Sequence, residues 1–127
     1  SRDEPDERVA SMVARGAEQP LERFVVREGG RLVFVPVESV DWIEAAGNYV
    51  RLHGGGQDHL LRRTLTALAQ RLGDRFLRIR RTALVNAGSI AALEPYGKGS
   101  YVVHLRDGTR LISSRYAGRD LRALVEG

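Results

Sequence analysis

Between residues 62 and 81 the chain carries seven arginines against one aspartate. A guanidinium fork is planar, always charged, and matches phosphate oxygens or the O6/N7 edge of guanine. Other groups of related chemistry stand at turn signals. Asn48 and Tyr49 follow Gly47; Arg78, Arg80 and Arg81 run from an apolar stretch into the next segment; Lys98, the only lysine, sits in YGKGS; Arg115 follows TRLIS. Phosphates are held by Arg, Lys, Asn, Tyr or backbone donors, while Arg and Asn read guanine and adenine edges. If these turns meet on one side, they make a loop-based reader of a polyanion. If they do not, they are solvated side chains of a basic domain, and spacing alone leaves both readings open.

Catalytic and metal-binding patterns are weak by comparison. Cysteine is absent, which excludes disulfides, thiolate catalysis and thiolate metal sites. His53, His59 and His104 lack partners at helical metal spacing. His53 and His59 could face each other across the Gly54-Gly55-Gly56 tip, where a structural role outweighs a metal site. Neither that triplet nor Gly97-Lys98-Gly99 precedes a helix with Lys-Ser or Lys-Thr, so neither is a phosphate loop of known type. No nucleophile-elbow pattern occurs. Asp41 and Glu44 flank Trp42 and read as a solvated face rather than paired carboxylates. The chain is read as a non-enzyme with no metal and no cofactor.

The elements that would position these residues are mostly strands. The 127 residues suit one domain with a short appendage, and 43% hydrophobic content is enough for a core. No apolar run reaches the roughly 20 residues of a membrane span. Residues 1–20 hold three Arg and five Asp or Glu, net −2, which leaves +6 on the remainder. They read as an acidic linker or connecting helix, with a helix over Asp6 to Ala17. Such a segment could also shield a basic face. The chain opens on Ser1 rather than Met, which reads as a piece of a longer protein. Of the twenty basic residues nineteen are Arg. GC-rich coding produces the same bias, so the weight rests on where the charges sit.

From Leu21 the alternation of RFVVRE and RLVFVP around Gly29-Gly30 predicts a hairpin. VDWIEA, YVRLH and DHLLRR follow as strands. Thr64 as N-cap, with Leu65, Leu68, Ala69 and Leu72 on one face and Gly73 in a left-handed C-cap, predicts a short helix. FLRIR, ALVN, IAALEP, YVVHL and TRLIS continue the strand pattern, with Asp107-Gly108 as a two-residue hairpin turn. A helix from Arg115 to Val125, capped by Ser114, closes the chain. About nine strands and one or two helices make a mainly β, antiparallel fold.

The stretches VESVDWIEAAGNYVRLH, LRRTLTALAQRL, RFLRIRRTALVNAGSIAALEP and YVVHLRDGTRLISSRYAGRDLRALV resemble the LytTR DNA-binding domain, the output module of LytR/AgrA-type response regulators. The resemblance runs from Phe24 to Val125. It implies an elongated, mainly β fold of small antiparallel sheets, with one short central helix and a C-terminal helix, over residues 21–127. It also implies sequence-specific binding of double-stranded DNA by loops in the major groove, on paired repeat sites taken by two copies. An upstream receiver or sensor domain and a cytoplasmic location follow, with a parent protein that could be membrane-anchored.

Residue by residue, Arg81 falls at the family's base-reading position, where many relatives have His-Arg-Ser and this chain has Arg80-Arg81-Thr82. Arg115 matches the Ser-Arg element, and Asn48-Tyr49 match the GNYV turn, with Asn48 as the reader. Lys98, Arg78 and the added charge of Arg80 fit phosphate contact. Asn86 fits a turn-capping role, and Trp42 fits the core. The rival from another class is a small β protein-interaction module without DNA binding.

Overall fold

The computed structural model describes residues 21–126. The acidic segment 1–20 and its expected helix lie outside the described residues, as do the side chains of 125–127.

Ten strands are described, in three antiparallel sheets. β1 (Arg23–Glu28) and β2 (Arg31–Pro36) form a separate hairpin. β3 (Trp42–Ala46), β4 (Tyr49–Gly54), β5 (Gln57–Leu61), β6 (Phe76–Arg80) and β7 (Ala83–Asn86) form a five-stranded sheet in the order β5-β4-β3-β7-β6. β8 (Ile90–Gly97), β9 (Ser100–Leu105) and β10 (Arg110–Ile112) form the third sheet, with β9 central. Helix α1 (Leu65–Leu72) links β5 to β6, and α2 (Gly118–Glu126) follows β10.

The five-stranded sheet is the middle layer, because its side chains alternate between two cores. Ile43 pairs with Leu84 across β3 and β7, and both enter one cluster with Phe24, Val26, Val35, Val50, Leu52 and the three leucines of α1. Trp42 pairs with Val85, one residue out of phase, and they face a second cluster of Ile79, Ala83, Val103, Leu105, Leu111 and Leu121. Thus β7 is buried on both faces, and ALV reads as an unbroken apolar run. β4 is covered on one face only: Val50 and Leu52 go inward while Arg51 and His53 stay half-buried.

α1 forms for local reasons. The Thr64 hydroxyl accepts from the Ala67 N–H at 3.1 Å, and Leu65, Leu68 and Leu72 recur on the buried face. The expected left-handed cap at Gly73 is corrected. Its φ is 62° but its ψ is −144°, a region open essentially to glycine alone, and it turns the chain directly into a 3-10 turn before β6. Two further expectations shift. The Asp107-Gly108 connection is a three-residue loop, not a two-residue turn: Leu105 N–H donates to the Thr109 carbonyl, and the Gly108 N–H donates back to Leu105. Gly108 then takes φ 97°, the residue that closes a three-residue hairpin. In that loop the Thr109 backbone N–H donates to the Asp107 carboxylate and holds its pKa below the ordinary value. That contribution is present at neutral pH and is lost as pH falls through the lowered pKa. Finally, the C-terminal helix begins at Gly118, not Arg115, because Ser114 caps a turn: its hydroxyl accepts from Ala117 N–H at 3.2 Å.

The histidines do not meet. His53 lies opposite Asp58 and His59 opposite Leu52, so the two rings point to opposite faces. His53 bonds Glu44 at 2.7 Å and Asp58 at 3.0 Å and stacks on Trp42, with ring centroids 4.2 Å apart. His59 bonds Glu28 and so ties β5 to the β1–β2 hairpin. His104 bonds Glu94 across β8 and β9. Asp41 and Glu44 are not a bare solvated face, since Asp41 accepts from the Ser89 hydroxyl at 2.7 Å.

Candidate nucleic-acid interface

Antiparallel order sends three connections of the middle sheet to one end. β3 runs up to Gly47-Asn48, β6 runs up to Arg81-Thr82, and β5 ends at Leu61 opposite Val50. Asn48, with Tyr49 opening β4, therefore shares that end with Arg80 and Arg81. The Ala45 N–H donates to the Thr82 carbonyl at 2.9 Å and joins the two turns directly.

The Arg81-Thr82 turn differs from the other tight hairpins. Gly29-Gly30, Gly55-Gly56 and Lys98-Gly99 have positive φ at both central residues and Gly47-Asn48 has it at Gly47, geometries whose twist suits an antiparallel pair. Arg81 and Thr82 have negative φ, and the register between β6 and β7 slips between Arg78 and Arg80. A bulge beside a turn re-aims the side chains that follow it. Arg78 holds this geometry. Its guanidinium donates to the Arg81 carbonyl at 2.7 Å and to the Thr66 hydroxyl of α1 at 3.0 Å, while its Nε is buried without a partner among the described residues. Arg78 thus stands half-buried behind the turn rather than at its tip.

The same end continues into the third sheet. Arg80 donates to the Ile112 carbonyl at 3.2 Å, and the Ser114 N–H donates to the Ile79 carbonyl at 2.8 Å, which seats Arg115 next to β6. Ser113 exchanges bonds with Tyr101, so β10 ends beside the start of β9. The backbone of Gly118 lies directly on Gly99: a Cβ built at 118 would stand 2.0 Å from the Gly99 oxygen. The Lys98 turn is therefore pinned against the segment that carries Arg115.

An unbroken series of backbone contacts hence links Asn48, Tyr49, Arg81, Arg80, Arg115 and Lys98. Asn48, Arg81, Lys98 and Arg115 are exposed, and among the described residues none of the four makes a side-chain hydrogen bond or ion pair. Chemically, such an edge offers donors and positive charge of the kind that an extended polyanion takes up, with none of the four engaged by another described residue. Tyr49 is 43% exposed there. Val50 is buried in the first core and offers nothing to a ligand.

Asn86 and Trp42 take the structural roles expected of them. The Asn86 amide caps the turn after β7, accepting from the Gly88 N–H and donating to the Val40 carbonyl, both at 2.9 Å. Trp42 packs against the second cluster. Arg62 and Arg63, which the sequence reading does not single out, stand near this edge. Both are exposed immediately beyond β5 at the same end as Asn48. They belong to the dense arginine run 62–81 and close the segment DHLLRR, whose strand ends at Leu61.

The LytTr DNA-binding domain family profile matches residues 30–126. A curated relative, the positive alginate biosynthesis regulatory protein of Pseudomonas aeruginosa, is 32% identical over 114 residues, covering 88% of this chain and 46% of its own length. The chain thus spans about half the length of that relative. A solved LytTr DNA-binding domain from Bacillus cereus superposes with a TM-score of 0.74 at 20% identity, covering 83% of this chain and 97% of that one.

Proposed function

We propose, from the premise that the chain belongs to the LytTr DNA-binding domain family, that it binds double-stranded DNA sequence-specifically as the output domain of a bacterial transcription regulator. Loops enter the major groove, and no recognition helix is used. The observation that carries this reading is the single edge on which Asn48, Arg81, Lys98 and Arg115 stand free. Arg81 and Arg115 read guanine edges and Asn48 an adenine edge, while Lys98, Arg80, Arg62 and Arg63 bind phosphate. Arg78 acts behind them, holding the Arg81 turn, and Tyr49 contacts the sugar–phosphate backbone. Two copies sit on paired repeats, and a receiver or sensor domain in the parent protein, in the cytoplasm, controls occupancy. The Pseudomonas aeruginosa relative is named a regulatory protein, which supports this assignment.

Selection of the purified chain against a random duplex library tests the reading. The expected result is enrichment of a short motif, repeated at a fixed spacing. Retention of no DNA by the folded chain would overturn it. Lys98→Ala is expected to weaken all sequences alike and to reduce the slope of log K against log salt by about one. A slope left at the wild-type value would remove Lys98 from the phosphate contacts.

One observation favours the rival reading of a protein-interaction module. The outer face of the β1–β2 hairpin exposes Val25, Leu32 and Phe34, with Arg23 stacked over the Phe34 ring. A protein partner held there need not show the steep salt dependence of phosphate neutralisation.

A further inference from the structure

The four tyrosines are not distributed evenly. Tyr101 is half-buried and packs against the second core cluster. The other three are exposed, and each stands within two residues of a free polar group of the proposed interface: Tyr49 beside Asn48, Tyr96 before Lys98, Tyr116 after Arg115. Exposure rises to 59% at Tyr96 and 92% at Tyr116. Single exposed aromatics are ordinary on a protein surface; three on three linked turns are a pattern. Their backbones are fixed. Tyr116 lies in the turn capped by Ser114 and followed by the buried Ala117, and Tyr96 is the penultimate residue of β8, just before the turn pinned by Gly118. Among the described residues neither phenol has a hydrogen-bond partner.

We infer that Tyr96 and Tyr116 are further duplex contacts, uncharged phenol donors to backbone phosphate that flank Lys98 and Arg115. This rests on the DNA-binding reading above and adds to it a class of contact that the basic residues cannot supply. A lysine or arginine on phosphate releases condensed counterions, so its contribution shrinks as salt rises. A phenol O–H on a phosphate oxygen releases none. It adds affinity that persists at high salt, and its two side-chain torsions leave little freedom to lose on binding. Phosphate is the same on every sequence, so the contacts set register rather than specificity.

The test uses the full 127-residue chain and a fluorescently labelled duplex of mixed sequence, titrated over a salt series. Tyr96→Phe and Tyr116→Phe, each losing only the hydroxyl, are expected to lower affinity by about threefold to tenfold. The factor stays the same at every salt concentration, so the slope of log K against log salt is unchanged. Lys98→Ala run in parallel lowers that slope by about one. Both tyrosines are exposed, so a circular dichroism melt is expected to be unchanged in either variant. A double Tyr→Phe variant that binds as the wild type does, while Lys98→Ala behaves as stated, overturns this inference alone. A tyrosine effect that changes the slope overturns it too, since that marks an electrostatic or structural cause. A folded wild-type chain that does not bind the duplex overturns the DNA-binding reading and this inference with it.

Discussion

Arg81→Ala lowers affinity for the selected duplex by about 1–3 kcal/mol and relaxes preference at one base position. The side chain is exposed, and no described residue partners it, so its removal leaves the fold intact. The effect belongs to the complex alone. The turn that presents it is held from behind by the Arg78 fork and by the Ala45–Thr82 bond, so the backbone from which the guanidinium extends is fixed. A guanidinium fork that meets guanine in two places loses both bonds when truncated. Affinities for the selected site and for its single-base variants decide the matter. A loss equal across all variants would make Arg81 a phosphate contact and not a reader. Arg81→Lys keeps the charge and gives up the planar fork, so it is expected to retain the salt slope and lose the base preference.

Gly118→Ala destabilises the chain by about 2–3 kcal/mol, for a reason unrelated to charge. Two effects oppose each other at this position. Alanine is favoured over glycine in a helix by about 1 kcal/mol, and residue 118 opens α2. Against that, the new methyl would stand 2.0 Å from the Gly99 oxygen and 3.2 Å from its carbonyl carbon. Both are backbone atoms, which cannot swing aside as a side-chain tip can. The clash outweighs the propensity, and relief requires α2 to separate from the Lys98 turn. A thermal melt is expected to show Tm lowered by about 10 °C. An unchanged or raised Tm would show that the approach of the two backbones is looser than described. Because the contact joins the Arg115 segment to Lys98, the same change also weakens duplex binding.

Much of the fold is legible in the sequence wherever one physical signal acts alone. Phe24 with Val26, and Val50 with Leu52, alternate because each strand has one buried face. Thr64 and the spaced leucines define α1 because cap and stripe agree. Legibility fails where one local signal serves two geometries. Asp-Gly opens a two-residue turn or closes a three-residue one, and only the Leu105–Thr109 bond distinguishes them. Ser114 caps a turn as readily as a helix, so the sequence signal puts the start of α2 three residues early. The candidate site shows the same division. Arg81, Lys98 and Arg115 are recognisable by type and by family pattern, yet their convergence depends on Ala45–Thr82, Arg80–Ile112 and Gly118–Gly99, contacts that no spacing encodes. Arg78 is the sharpest case. Within a run of arginines it reads as another solvent-facing charge, but its place at the bulge turns it inward to Thr66 and Arg81.

The pairing of β3 with β7 has a consequence for how the chain reaches this state. Every other described strand pair joins neighbours in sequence, each closing over one short turn. Only Trp42–Val85, Ile43–Leu84 and Glu44–Ala83 bring together segments with β4, β5, α1 and β6 between them. Hairpins close within about 1–10 μs, whereas a distant pairing must first meet the larger entropy of loop closure. That one zipper also stitches both cores, since Ile43 and Leu84 complete the first and Trp42 and Val85 line the second. Among the described strand pairs it is therefore the one that carries the largest loop-closure entropy. The same pairing brings the Asn48 and Arg81 turns side by side, tied at its end by the Ala45–Thr82 bond, so that half of the basic edge is built on the most distant strand pairing in the sheet.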